Sequence, residues 1–277
     1  TLEHYRANSG DAYYAGSDSL RRLRVGVGTS EDMSSDLTEL VSDIASARVL
    51  CVGDVILDQF ITGEVERISP EAPVPVLRIL GETAMLGGAG NVARNVAALG
   101  GQVTLIALTG EDTAADKIDE AISSLETASA DLVRHDTRPT TIKTRFVAGT
   151  HQILRADAEV SEPLDDNTGD ALIARAEAAM STHDVLVLSD YGKGVLSNGR
   201  AQRLIRAAKI AEIPVIVDPK GNDYTIYAGA DVITPNRKEI SEASGMPATG
   251  LDGAADAAKT IADRHGLAAV LVTLSQD

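Results

Sequence analysis

The sequence predicts an α/β protein with a mostly parallel sheet and helices on both faces. Six short runs rich in Val, Ile and Leu, at residues 48–53, 103–108, 185–189, 215–218, 232–234 and 269–274, are bounded by turn residues. Continuous apolar runs of this length suit strands covered on both faces. Helical periodicity fills the intervals, at 37–47, 91–99, 114–125, 169–180, 199–211 and 254–265. Two regions break the alternation. Residues 73–80 (PVPVLRIL) and 142–156 (IKTRFVAGTHQILRA) carry mixed polar and apolar strand patterns with no helix between, the second reading as a hairpin that turns at Gly149–Thr150. Both are expected in a small accessory β-layer projecting from the main sheet.

The amino-terminal stretch is different. Residues 1–35 hold Gly10, Gly16, Gly26 and Gly28 among Ser and Asp residues with no sustained periodicity, and are expected to form a poorly ordered tail. Met33 reads as the natural start, with the residues before it extraneous. Residues 36–277 then form one domain, a size that buries a substantial core.

Composition narrows the function. A charge of −16 argues against a nucleic-acid surface, and an aromatic content of 3% argues against base-stacking platforms. No run approaches the roughly 20 apolar residues of a membrane helix, and no segment resembles a signal peptide. A single cysteine, Cys51, excludes an internal disulfide framework and suits the reducing cytoplasm. A cytoplasmic enzyme or small-molecule binder remains, with neither nucleic acid nor membrane as partner.

The candidate chemistry sits where strands end, which is where open α/β sheets collect ligands. After the first strand comes GDVILD, whose Asp54 and Asp58 could accept hydrogen bonds from sugar hydroxyls or bond local backbone in a turn. The glycines of Gly87-Gly88-Ala89-Gly90-Asn91 open a helix and permit close approach of a ligand to backbone. A dinucleotide fingerprint fails there, because its third glycine would fall on Ala93. Asn91 and Asn95 share one helix face and could reach a polyol or be solvated. Three further strands end in SDYGKG (Asp190, Lys193), DPKG (Lys220) and TPNRKE (Asn236, Glu239). That repetition predicts a polar cleft along the sheet edge. Asn236 and Glu239 could hold a hydrated Mg2+, or Glu239 could cap the first turn of a helix. The five histidines show no transition-metal spacing, and neither a G-x-S-x-G elbow nor a Walker sequence is present.

In this order and spacing, GDVILD, ISPEAPVPV (residues 68–76), GGAGNVARN, SDYGKG, DPKG and TPNRKE resemble the ribokinase-like sugar kinases, over about residues 37–277. ISPEAPVPV and SDYGKG point within that family to the kinase domains that act on D-glycero-β-D-manno-heptose 7-phosphate and are joined to an adenylyltransferase domain. The resemblance implies a three-layer fold with a β-lid that joins protomers into homodimers. It also implies transfer of the ATP γ-phosphate to the anomeric hydroxyl, giving heptose 1,7-bisphosphate for ADP-heptose and lipopolysaccharide core synthesis. On this resemblance Asp54, Asp58, Gly87, Gly88, Asn91 and Asn95 hold the sugar, together with Asp190 and Lys193. Lys143, Arg145 and Arg155 are candidates for the 7-phosphate, since anion recognition favours Arg forks and Lys charges. Asn236 and Glu239 match the Mg2+–phosphate element, and Lys220, Thr273 and Ser275 border the ATP. The family's Gly-Ala-Gly-Asp element, which supplies an anion hole and the catalytic base, does not occur. Gly253-Ala254-Ala255-Asp256 is superficially similar but lies upstream in a helical stretch. Residues 36–277 are therefore expected to be a kinase domain truncated at its C-terminus, lacking the base and inactive. The alternatives are another ribokinase-like sugar kinase, acting on a different sugar or sugar phosphate, and a non-catalytic sugar-phosphate-binding module.

Overall fold

The structure is a computed structural model that describes residues 12–16 and 41–274. Its main sheet contains β1 (Ala12–Gly16), β2 (Arg48–Gly53), β5 (Gln102–Gly110), β6 (Ala128–His135), β9 (Val185–Ser189), β10 (Val215–Asp218), β11 (Val232–Ile233) and β12 (Ala269–Thr273). The order across the sheet is β1-β12-β11-β10-β9-β2-β5-β6. All neighbours are parallel except β1, which runs antiparallel along β12 at the edge. β1 falls in the stretch expected to be a tail. The rest of that stretch, Met33 included, lies outside the described residues.

Alternation along β2 shows why its sequence reads as one unbroken apolar run. Leu50 and Val52 enter a core with Ile173 of α3 (Asp166–Ala179), Leu204 of α4 (Arg200–Ile210) and Ile261 of α6 (Gly250–His265). Val49 and Cys51 enter a second core with Ala93 of α1 (Ala89–Ala98) and Ile118 and Ile122 of α2 (Thr113–Ser123). With apolar packing on both sides, neither set of side chains can be polar. Burial pushes the Cys51 thiol up to about 12, so it is an inert core residue.

The accessory layer is a four-stranded sheet in the order β4-β3-β7-β8. β3 (Val55–Ile68) leaves the end of β2 and returns as β4 (Pro75–Gly88), while β7 (Ile142–Ala148) and β8 (His151–Ala158) form the expected hairpin around Gly149–Thr150. The sequence reading places GDVILD in a strand-end loop. Instead Asp58 lies inside the 14-residue β3, paired to β4 on one side and β7 on the other. The base of this layer, Leu57 and Leu86, packs into the second core, but Ile68, Val74, Ile79, Leu80 and Leu154 further out are exposed. Exposure on both faces erases the alternation that would have marked the strand. β6 escapes the sequence reading for a related reason. ASADLVRH is an edge strand with Val133 its one fully buried side chain, so it shows no continuous apolar run.

Candidate active site

Five adjacent strands, β2, β9, β10, β11 and β12, end side by side, and the loops after them form one row. Asp54 stands at the first of these ends and is 2% exposed. Its carboxylate accepts hydrogen bonds from the backbone N–H groups of Tyr191 (2.8 Å), Lys193 (3.0 Å) and Val195 (3.3 Å). These bonds occupy both oxygens, and they are neither bonds to a sugar nor to local backbone. Asp54 shapes the SDYGKG loop from across the sheet. Burial raises its pKa and Asp190 adds to that, while the three N–H donors oppose the rise.

The other side of this loop is held by Arg138, which the sequence reading did not single out. Its guanidinium donates to the carbonyl oxygens of Lys193, Val160 and Glu162, tying the loop to the chain that leaves the lid. Asp190 accepts from the N–H of Gly192 (2.7 Å) and from the Tyr227 hydroxyl (2.6 Å). That hydroxyl also accepts from the N–H of Lys220 at 3.1 Å, joining the loops after β9 and β10. Tyr227 and Arg138 act through contacts far apart in sequence, and no local spacing announces them.

Lys220 donates to Glu239 at 3.0 Å, and Glu239 also accepts from the N–H of Asn236. The Asn236 side chain accepts in return from the Glu239 N–H, a reciprocal capping box at the start of α5 (Arg237–Ser244). The capping role weighed for Glu239 is thus present, and the carboxylate, bonded also to Lys220, is 13% exposed. Thr273 bridges to Asn236 through backbone, whereas Ser275 lies outside the described residues. Gly253–Asp256 lies within α6.

Burial, with Glu239 adding repulsion, pushes the Asp218 carboxyl up to about 6. The folded protein then holds a proton that the unfolded chain releases near pH 4, so this group lowers stability as pH rises from about 4 to about 6. Asp218→Asn is expected to be more stable than the parent by about 1 kcal/mol at pH 7.5 after allowance for solvent screening. The gain should vanish at pH 4, read by urea unfolding at both pH values.

The lid supplies the opposite wall. Asp58 faces Lys143, and Phe60 faces Arg145, across β3 and β7; Arg145 and Arg155 are opposed across β7 and β8. Directly opposed residues share one face. Arg145 bonds the Asp58 carboxylate and lies 5.3 Å from the centre of the Phe60 ring. Lys143 contacts Asp157 (3.0 Å) and Glu159 (2.9 Å), and Arg155 contacts Asp157 (2.9 Å). From the loop row, Lys193 reaches the same Glu159 at 2.9 Å. The predicted phosphate-binding residues are therefore gathered, each with an acidic partner. Burial lowers the Lys143 ammonium, but its bonds to Glu159 and Asp157 outweigh that and its pKa is raised. It stays charged.

Gly87 and Gly88 close the floor. A Cβ on Gly87 would lie 2.2 Å from a carboxylate oxygen of Asp58, and one on Gly88, at φ +57°, would lie 2.2 Å from the Asp54 carbonyl oxygen. Of the helix pair, Asn91 accepts a bond from Arg94 and Asn95 is exposed. Among the described residues no three His, Cys, Asp or Glu side chains converge as a metal cage. A groove of about 460 Å³, lined by Arg48, Thr104, Ser129 and His183, opens at the opposite end of the strands.

A profile of the pfkB family of carbohydrate kinases matches residues 46–277. The chain belongs to that family. As a pfkB carbohydrate kinase it is 48% identical over 246 residues to the bifunctional protein HldE of Rhodospirillum rubrum, covering 89% of this chain and 50% of that protein. It is 49% identical over 242 residues to the HldE of Caulobacter vibrioides, covering 87% and 50%. The chain thus spans about half the length of these curated relatives. The tetrameric inhibited form of phosphofructokinase-2 from Escherichia coli superposes with a TM-score of 0.67 at 24% identity, covering 82% of this chain and 74% of that one. Ribokinase of Arabidopsis thaliana, complexed with ribose and ATP, superposes at 0.58 with 18% identity, covering 83% and 72%. These two share the ribokinase-like fold. No helix among the described residues is long and apolar enough to cross a membrane.

Proposed function

We propose that the carbohydrate kinase to which this domain belongs transfers the ATP γ-phosphoryl group to the anomeric hydroxyl of D-glycero-β-D-manno-heptose 7-phosphate in the cytoplasm, for ADP-heptose and lipopolysaccharide core synthesis. A bond forms between the anomeric oxygen and the γ-phosphorus, the bond from that phosphorus to the bridging oxygen of ADP breaks, and the hydroxyl proton passes to a general base. The Gly-Ala-Gly-Asp element to which the resemblance assigns that base does not occur in this sequence, so these residues bind the substrate without completing the transfer. The observation that carries the reading is the placement of Lys143, Arg145 and Arg155 on the lid face that also holds Asp58, with Lys193 rising toward them from the loop row. A sugar bonded by Asp58 would have its distal phosphate among those cations. Phosphoryl transfer is mainly positioning and charge stabilisation, and cations fixed on two walls suit it.

Glu239 and Asn236 fit a divalent cation. Both offer hard oxygens, and the carboxylate charge that raises Asp218 is one a dication would balance. Mg2+ characteristically keeps several waters and takes few protein ligands, so two oxygen-bearing side chains beside a nucleotide are enough to hold it. When bound it would offset the charge of the nucleotide phosphates. Lys220 and the end of β12 at Thr273 would border the nucleotide. A second copy covering the lid's exposed Ile68, Val74, Ile79, Leu80 and Leu154 would make the homodimer.

Calorimetric titration tests the substrate. Heptose 7-phosphate should bind at micromolar concentration, with fructose 6-phosphate and unphosphorylated heptose at least tenfold weaker. Equal affinity for all three, with the chain folded by circular dichroism, would reject the assignment.

A further inference from the structure

Lys143 of the lid and Lys193 of the loop row share one carboxylate. Glu159 sets one oxygen 2.9 Å from Lys143 and the other 2.9 Å from Lys193. The backbones that carry the cations are held by ladder or loop bonds, whereas the residue that carries the anion lies past the end of the ladder. Lys143 stands in β7 with ladder partners on both sides. Lys193 has its N–H held by Asp54 and its carbonyl by Arg138. Their side chains are 18% and 14% exposed. Glu159 lies one residue past the end of β8, outside the ladder, with its side chain 28% exposed. Three cations, Lys143, Lys193 and Arg155, meet two anions, Asp157 and Glu159. The cluster therefore carries one net positive charge even with Glu159 in place.

We propose that Glu159 is an internal competitor, its carboxylate filling a two-lysine anion site that the phosphoryl group of the sugar phosphate enters by displacing it. The proposal rests on the sugar-phosphate reading above. A phosphoryl group offers more oxygens and more charge than a carboxylate, so it forms charge-assisted bonds to both ammonium groups at once. Displacement leaves Lys143 still paired with Asp157 and commits Lys193 to the ligand, coupling the loop row to the lid only when a phosphorylated substrate is present. Bonds to Lys193 and Lys143 hold the Glu159 carboxyl below the usual range, so it competes as an anion at neutral pH.

The test is Glu159→Gln, titrated by calorimetry with inorganic phosphate, heptose 7-phosphate and unphosphorylated heptose. Loss of the competing charge should tighten both phosphate ligands by roughly tenfold and leave the unphosphorylated sugar unchanged. The double variant Glu159→Gln with Lys143→Gln should lose the gain. Should Glu159→Gln not fold, Glu159→Asp, too short to span both lysines, should show the same direction of change. Unchanged or weaker inorganic phosphate binding by a folded variant overturns the proposal. Tighter inorganic phosphate with no binding of heptose 7-phosphate upholds the competitor and rejects the heptose reading instead.

Discussion

Replacing Asp54 by alanine is expected to destabilise the domain by about 3–5 kcal/mol, since buried donors left without an acceptor cost about 1–3 kcal/mol each. Three N–H groups lose their acceptor at once, those of Tyr191, Lys193 and Val195. Relief of the buried charge returns part of this, which keeps the total below three full penalties. Against a typical domain stability of about 5–15 kcal/mol the loss is large. Urea unfolding should show a lowered midpoint with an unchanged slope. Asp54→Asn should not rescue the loop, because an amide offers one acceptor oxygen and turns a donor toward donors. A loss below about 1 kcal/mol would mean that the loop holds its shape without Asp54.

The second large effect separates the site from the fold. Gly87→Ala places a methyl group 2.2 Å from a carboxylate oxygen of Asp58 and 3.3 Å from the Ile56 Cβ. The carboxylate is the free end of a side chain and can swing away, so the fold should lose only about 1–2 kcal/mol. The swing removes Asp58 from any sugar and breaks its bond to Arg145. Hydrogen bonds to charged groups contribute about 1.5–3 kcal/mol, so sugar affinity should fall roughly 10- to 100-fold. Calorimetry beside thermal unfolding reads both quantities. Intact sugar affinity in Gly87→Ala would place the sugar away from Asp58.

The main sheet was legible because its central strands are apolar on both faces: 185–189 and 215–218 coincide with β9 and β10. The row of loops could be foreseen once parallel strands were, since their carboxyl ends must align. What stayed hidden depended on partners distant in sequence. Asp54 and Asp58 look alike in GDVILD, yet one is walled in by a loop about 137 residues onward and the other faces the cleft beside Arg145. Arg138 lies outside every motif and works through three carbonyl oxygens. Glu159 was passed over because it follows the expected hairpin, although it is the residue that links Lys143 to Lys193. Charge type singled out Lys143, Arg145 and Arg155 as candidates for a phosphate, but gave no sign of Asp157 and Glu159, which pair with Lys143 and Arg155.

The central claim is that the sugar phosphate lies between the loop row and the lid. Hydrogen–deuterium exchange with and without heptose 7-phosphate tests it most directly. Protection should rise in residues 54–60, 87–91, 143–145 and 190–195 together, because one ligand would bridge the Asp58 face of the lid and the loop clamped by Asp54 and Arg138. Protection confined to the groove at the other end of the sheet, around Arg48, Thr104, Ser129 and His183, would contradict the account.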